Sequence, residues 1–186
     1  MSWYLADSGS VTVGTQVNTY VNTWAEDGSI HGAIEINANP GLVMVYTFTN
    51  IPVISKLAIK FHAYYDGNPA HTVKLQIMNW NTTWEDVTAE LTDFPSESSL
   101  QDYRFFVPDL TNYISGTNEI SLRIDHNVQG TPGHTMDIDY MWLDENATST
   151  TTTSTSTSTT STTSTLPPEE WFHVEVYDDE TEIVLM

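Results

Sequence analysis

Apolar and polar residues alternate along Ser55–Tyr65, "SKLAIKFHAYY", with Leu57, Ile59 and Phe61 on one face. The same period of two runs through His71–Trp80, "HTVKLQIMNW", where Val73, Leu75 and Ile77 oppose Lys74 and Gln76. Successive side chains of a strand point to opposite faces, so this pattern predicts half-buried strands. Gly41–Thr49, Tyr103–Val107, Glu119–His126 and Thr135–Leu143 carry the β-branched and aromatic residues that strands favour. Between these runs lie the breakers "NANPG", "DGNPA", "SGTN" and "QGTPG". No stretch has the period of an amphipathic helix, and Leu110–Ile114 amounts to one helical turn at most. No internal repeat of fixed period is visible. Many short strands with turn signals between them predict an all-β jelly-roll β-sandwich.

The pattern changes twice along the chain. Residues 1–147 are varied in composition and predict the sandwich. From Thr148 to Thr165 every residue is Thr or Ser, and Pro167 and Pro168 close the run, so 148–168 is a linker. Such a segment has nothing apolar to bury and does not fold alone. Its eighteen Thr and Ser residues reach roughly 60 Å when fully extended, at about 3.3 Å each. A mucin-like glycosylated stalk has this composition too, but needs a secretory route. In residues 169–186, Phe172, Val174 and Val176 alternate along "WFHVEVY", and "TEIVLM" is a second apolar run after "DDE". The expectation is a β-hairpin anchor that docks through Trp171, Phe172, Val174, Val176, Ile183 and Leu185. A lone two-stranded hairpin is marginal in water, and its free edges invite pairing.

Charge narrows the partners. The chain has 25 acidic and 5 basic residues among 186, a formal net charge of -20. A polyanion repels phosphate backbones and anionic headgroups, so neither nucleic acid nor membrane is expected as a partner. The tail holds seven acids, Glu169, Glu170, Glu175, Asp178, Asp179, Glu180 and Glu182, and no Lys or Arg. Pairing between copies crowds those charges. A neutral or basic foreign surface is the easier partner, with a homo-oligomer as the other outcome. There is no cysteine, which rules out disulfides and thiolate metal sites. The opening "MSWYLADSGS" lacks a basic and apolar leader pattern, so assembly in a cytoplasm is expected, and the sequons at Asn81 and Asn146 carry little weight.

Two longer stretches carry a resemblance. Lys56–Val87 places two alternating strands before an Asn-rich turn and Trp84. Tyr103–Leu143 has a strand, a "Y-x-x-G-x-N" connection, a strand ending in His, a loop and a "D-I-D-Y" strand. Together these resemble the galactose-binding-like β-sandwich of discoidin-type domains, carbohydrate-binding modules and many phage particle proteins, over about Leu42–Leu143. The resemblance implies that Trp84 is a buried core residue; Trp80 has no clear assignment. The Thr/Ser run is similar in composition to linkers of phage tail, fibre and capsid-decoration proteins. This implies a non-enzymatic structural protein of a virion, displaying the sandwich and held by its tail to other virion proteins. A free carbohydrate-binding module or lectin, working extracellularly, is the alternative.

Candidate chemistry follows from residue types. No nucleophile elbow, zinc-protease helix or phosphate loop is present, and among 25 acids some pair meets any glycosidase spacing by chance. The chain does not read as an enzyme. A sugar site needs an aromatic face for the ring's C–H surface and amides or acids for its hydroxyls. The loop "YYDGNPAH" offers Tyr64, Tyr65, Asp66, Asn68 and His71, and the loop "DHNVQGTPGH" offers Asp125, His126, Asn127, Gln129 and His134. If the strands they leave pair, the two loops share one end of the sandwich. These are also ordinary turn residues. Asp137 and Asp139 lie two apart and so share a strand face, where two hard oxygens suit calcium; a solvated face is the simpler reading. No other cofactor is implied. The histidines His62, His71, His126 and His134 lack close metal-binding spacing.

Overall fold

A computed structural model describes residues 3–67, 73–88, 91, 94, 95 and 99–145. The Thr/Ser linker, the expected tail hairpin with its docking residues, and the candidate residues Asn68 and His71 lie outside the described residues.

The described chain forms eleven strands: β1 (Trp3–Leu5), β2 (Ser8–Val13), β3 (Thr15–Val17), β4 (His31–Ile34), β5 (Leu42–Phe48), β6 (Leu57–Tyr65), β7 (Val73–Met78), β8 (Trp84–Asp86), β9 (Gln101–Val107), β10 (Ile120–His126) and β11 (Thr135–Asp144). They build two antiparallel sheets. One runs β3-β4-β11-β6-β9, with β1 also on β11; the other runs β2-β5-β10-β7-β8. From β4 to β7 the chain crosses between sheets at each step, and it crosses again on entering β9, β10 and β11. This is the all-β jelly-roll sandwich that the hydrophobic pattern predicts.

The alternation decides what fills the space between the sheets. Leu57, Ile59, Phe61, Ala63 and Tyr65 of β6 are fully buried, and Val73, Leu75 and Ile77 of β7 face them from the other sheet. Leu42, Met44, Tyr46 and Phe48 of β5 and Ile120, Leu122 and Ile124 of β10 complete that side. Each Val, Leu, Ile, Met or Phe side chain among them contributes about 1.5–3 kcal/mol on burial. Phe61 stacks on Tyr103 with ring centroids 5.1 Å apart, joining β6 to β9.

Four differences from the sequence reading matter. The strands β1, β2, β3, β4 and β8 were not expected; all but one are rich in Gly, Ser or Thr or only three residues long, and their flanking turns hide them. Trp84 is not in the core. It lies partly exposed on β8, with the Arg123 guanidinium 4.7 Å from its ring centroid. The strands β6 and β10 do not pair, since they belong to different sheets; β6 pairs with β11, and β10 with β7. Finally, β11 carries a bulge between Ile138 and Tyr140. Apolar residues occupy positions 136, 138, 141 and 143 of this strand, so the phase of burial slips by one at Asp139. The slip sends Tyr140 and Trp142 to the outer face.

Candidate carbohydrate-binding surface

The two loops singled out by composition do share one end of the sandwich. The β6–β7 loop and the β10–β11 loop meet because β6 pairs with β11: Tyr65 lies opposite Met136, and Asp66 N–H donates to Thr135 O at 3.1 Å. The chain after β4 also runs there, and Gly41 meets Gly130 so closely that a Cβ on Gly41 would sit 2.5 Å from the Gly130 Cα.

What that end presents to solvent is narrower than the sequence suggests. Tyr65 and His126 are fully buried and offer no face to a ligand. Both turn inward onto Glu35, itself only 2% exposed. Tyr65 donates to Glu35 Oε1 at 2.6 Å, the Thr131 N–H donates to Oε2 at 2.6 Å, and His126 Nδ1 pairs with Oε1. His134 Nδ1 lies 3.6 Å from Oε2. Burial and the Glu35 hydrogen bond push the Tyr65 phenol far above its usual range. These residues lock the loops together. Asp125 is buried as well, paired with Arg123 at 3.4 Å. Asn127, Gln129 and Asp66 are exposed and Tyr64 is partly exposed. Gln129 Nε2 donates to Asn37 Oδ1 at 2.6 Å, and Asp66 Oδ1 accepts from the Thr135 N–H.

Asp137 and Asp139 go separate ways. Asp139 sits in the bulge, nearly buried, where it accepts from the Gly28 N–H at 2.9 Å and pairs with His62 Nδ1 at 3.1 Å. Asp137 lies against Gly32, where a Cβ would stand 2.5 Å from Asp137 Oδ1 and would push that carboxylate aside. Burial, with help from the Asp66 charge, pushes the Asp137 carboxyl up to about 6. Among the described residues, no three His, Asp or Glu side chains are placed to hold a metal ion.

A second surface was not anticipated. Three short pieces of chain line one flank of β11: β4 pairs with its first half, Trp24 bridges Tyr140, and β1 pairs with its last residues. Directly opposed residues point to the same face. Trp24 therefore shares the outer face with Tyr140, Leu5 with Trp142, and Trp3 with Asp144. Trp3, Leu5 and Trp24 are 37%, 40% and 42% exposed, which makes this row an exposed apolar strip rather than part of the core. Their partners on β11 place Trp3 and Trp24 about 13 Å apart along the strand, at roughly 3.3 Å per residue.

The strip is held in place by neighbours on the same face. Tyr140 stacks on Trp142 at 4.3 Å, and Trp3 meets the Trp142 ring edge-on at 5.1 Å. Lys60 Nζ lies 4.3 Å from the Trp3 ring centroid and 3.0 Å from Asp144. Trp24 Nε1 donates to Ala6 O at 2.9 Å. Polar groups stand beside the strip. Tyr140 donates to Asp102 Oδ1 at 2.8 Å, and burial together with the charges of Asp102, Glu26 and Asp139 holds its phenol far above the usual range. The partly exposed ring of His62 packs against Tyr140 at 5.7 Å. The Trp142 Nε1 donor has no partner among the described residues. The phase slip in "TMDIDYMWL" was the one signal in the sequence for this surface.

No protein-family model and no curated protein matches the chain. Among solved structures, it is similar to TmCBM61, a carbohydrate-binding module solved with β-1,4-galactotriose, at 12% identity and a TM-score of 0.44, over 76% of this chain and 90% of that one. It is similar to the CBM22-1–GH10 modules of Clostridium thermocellum xylanase 10B solved with xylohexaose, at 11% identity and a TM-score of 0.46, over 80% of this chain and 27% of that one. It is also similar to the enzymatically active domain of tailspike protein 4 from bacteriophage CBA120, at 14% identity and a TM-score of 0.41, over 77% of this chain and 18% of that one. At such identities these likenesses give no residue of this chain a role.

Proposed function

We propose that the β-sandwich is a non-catalytic carbohydrate-binding module that uses the outer face of the β11 sheet. The observation that carries this reading is the exposed row Trp3–Leu5–Trp24, fixed beside Tyr140, Trp142, His62 and Asp102. Indole faces suit the C–H surface of a sugar ring, and the flanking Asp102 carboxylate and His62 imidazole suit its hydroxyls. The length of the row fits several sugars of a chain better than a single terminal one. Affinity electrophoresis through neutral galactan and xylan tests the reading. The wild type should be retarded on at least one polymer, and Trp24→Ala and Trp3→Ala should run freely while keeping the wild-type thermal midpoint. Retardation unchanged in both variants overturns it.

We further infer that the module is displayed on a virion, as a capsid-decoration, tail or fibre component. A tether of eighteen Thr and Ser residues followed by an apolar, acidic tail supports this reading. A lectin working alone has no need of that tail, whereas a displayed protein needs an anchor. Cosedimentation of the protein with phage particles, and loss of it on removing residues 169–186, is the test.

A further inference from the structure

The β11 face and the Glu35 loop end leave one cavity unused. Where the β8 edge of one sheet meets the β9 edge of the other, a groove of about 250 Å³ opens. Its floor is apolar, formed by Ile77, Val87, Phe105 and Val107, and its rim is polar, formed by Asp109, Asn112 and Tyr113. The groove is remote in the fold from Trp3 and Trp24, which lie at the opposite flank of the β11 sheet.

The rim is rigid. Tyr113 donates to Glu85 Oε2 at 2.5 Å, and its amide closes a turn onto Leu110 O at 2.9 Å. Asp109 Oδ1 accepts from both the N–H and the hydroxyl of Thr111, at 2.9 and 2.6 Å. Asn112 Oδ1 accepts from Asn81 Nδ2 at 2.8 Å. Trp80, 43% exposed, is tied to the same turn twice, by its amide to Asn112 O at 2.9 Å and by Nε1 to Tyr113 O at 3.1 Å. Two polar atoms are left over after these bonds. Asp109 Oδ2, an acceptor, and Asn112 Nδ2, a donor, belong to exposed side chains and are open to a ligand in exchange for water.

We propose that this groove is a second ligand site, taking one neutral pyranose ring between the apolar floor and the Asp109–Asn112 pair. A cavity of about 150 Å³ takes benzene, so this larger one has room for a six-membered ring with its hydroxyls. An acceptor and a donor on the same rim suit two hydroxyls of a sugar, one donating and one accepting. The C–H face of the ring covers the apolar floor. Asp109 and Glu85 make the rim acidic, so a uronate or sulfated sugar is repelled. This site does not depend on the β11 face, and the protein would be bivalent if both operate.

The test is nuclear magnetic resonance of the full-length protein labelled with nitrogen-15, titrated separately with galactose, xylose and glucuronate. Galactose or xylose should shift, saturably, the Trp80 indole cross-peak and the amides of residues 105–107 and 109–113. Glucuronate should not. Asn112→Asp and Asp109→Asn keep the Oδ1 bonds but reverse the spare donor or acceptor, and each should weaken binding about tenfold or more. Phe105→Trp, which fills the floor without touching the rim, should do the same. Trp24→Ala should bind these sugars here as the wild type does, which separates failure of this site from failure of the β11 face. The proposal is overturned if no neutral sugar moves these peaks, or if Asn112→Asp and Phe105→Trp both bind like the wild type.

Discussion

Tyr65 donates its hydroxyl hydrogen to Glu35 Oε1 across 2.6 Å, with both residues sealed from solvent. The bond ties the end of β6 to the chain leaving β4, and Glu35 also holds Thr131 and His126 of the β10–β11 loop. Removing one partner of a buried polar pair costs more than the bond is worth, because the other is left unsatisfied. Tyr65→Phe should cost about 1–3 kcal/mol. Glu35→Ala should cost about 3–5 kcal/mol, since it leaves His126 and Tyr65 without their shared acceptor. Urea unfolding followed by tryptophan fluorescence measures both. Equal, small losses would mean that Glu35 does not organise this end.

Gly41 and Gly130 make the second lock on the same loops. A methyl at Gly41 would lie 2.5 Å from the Gly130 Cα and 2.8 Å from its nitrogen, both backbone atoms that cannot swing aside. Gly41→Ala should therefore destabilise the sandwich by about 1–3 kcal/mol through overpacking. Gly116→Ala, where nothing lies within 4 Å, is the control and should leave the denaturant midpoint in place.

Asp137 should oppose folding at neutral pH. Its carboxyl titrates at about 6 in the folded chain, against 3.8 ordinarily, because burial and Asp66 disfavour its charge. A raised carboxyl favours the fold while protonated. That contribution is complete below pH 3.8 and is lost as the pH rises through about 6. Asp137→Asn should thus raise the thermal midpoint at pH 7 and leave it close to wild type at pH 3.5. Partial exposure limits the gain to about 1 kcal/mol. A variant no more stable than wild type at pH 7 would refute the assignment.

His31 works in the other direction. Its ring is fully buried, Nδ1 lies 2.6 Å from the Tyr46 hydroxyl, and burial lowers its titration from 6.5 to about 4. The neutral ring is the one the fold accepts. Its contribution is complete above pH 6.5 and is lost as the pH falls toward 4. His31→Phe, which keeps a ring beside Tyr46, should flatten the decline of stability across that interval. Midpoints taken at pH 7, 5.5 and 4.5 give the slope for each protein.

Period-two patterning places β6 and β7, where a slip of register would expose the buried face, and runs of β-branched and aromatic residues place β5, β9, β10 and β11. The edges were hidden because "SGSVTV" and "TQV" have too few apolar residues to show a phase. The sugar-site residues were chosen by type, and type does not reveal direction. Tyr65 and Tyr64 are neighbours on β6, yet the first points into the core and the second outward. Trp3 and Trp24 were visible as residues, but their alignment depends on pairings with β11 that join positions more than a hundred residues apart. The groove at Asp109 and Asn112 depends in the same way on two sheet edges meeting. Only the bulge left a local trace, in the spacing of Met136, Ile138, Met141 and Leu143.

The tail offers the last prediction. Among the described residues the core runs from Ala6 to Leu143, and a protein ending at Ala147 should keep the thermal midpoint and the polysaccharide affinity of the full chain. Seven acids and no Lys or Arg lie beyond residue 168, and like charges placed opposite each other destabilise strand pairs. Self-association through the tail should therefore be weak at low salt. Light scattering should report a monomer for both proteins, while only the full chain should cosediment with particles. If the full chain is an oligomer and the shortened one a monomer, the tail is a self-assembly segment, and the displayed object is a multimeric fibre or spike rather than a protein docked on a foreign surface.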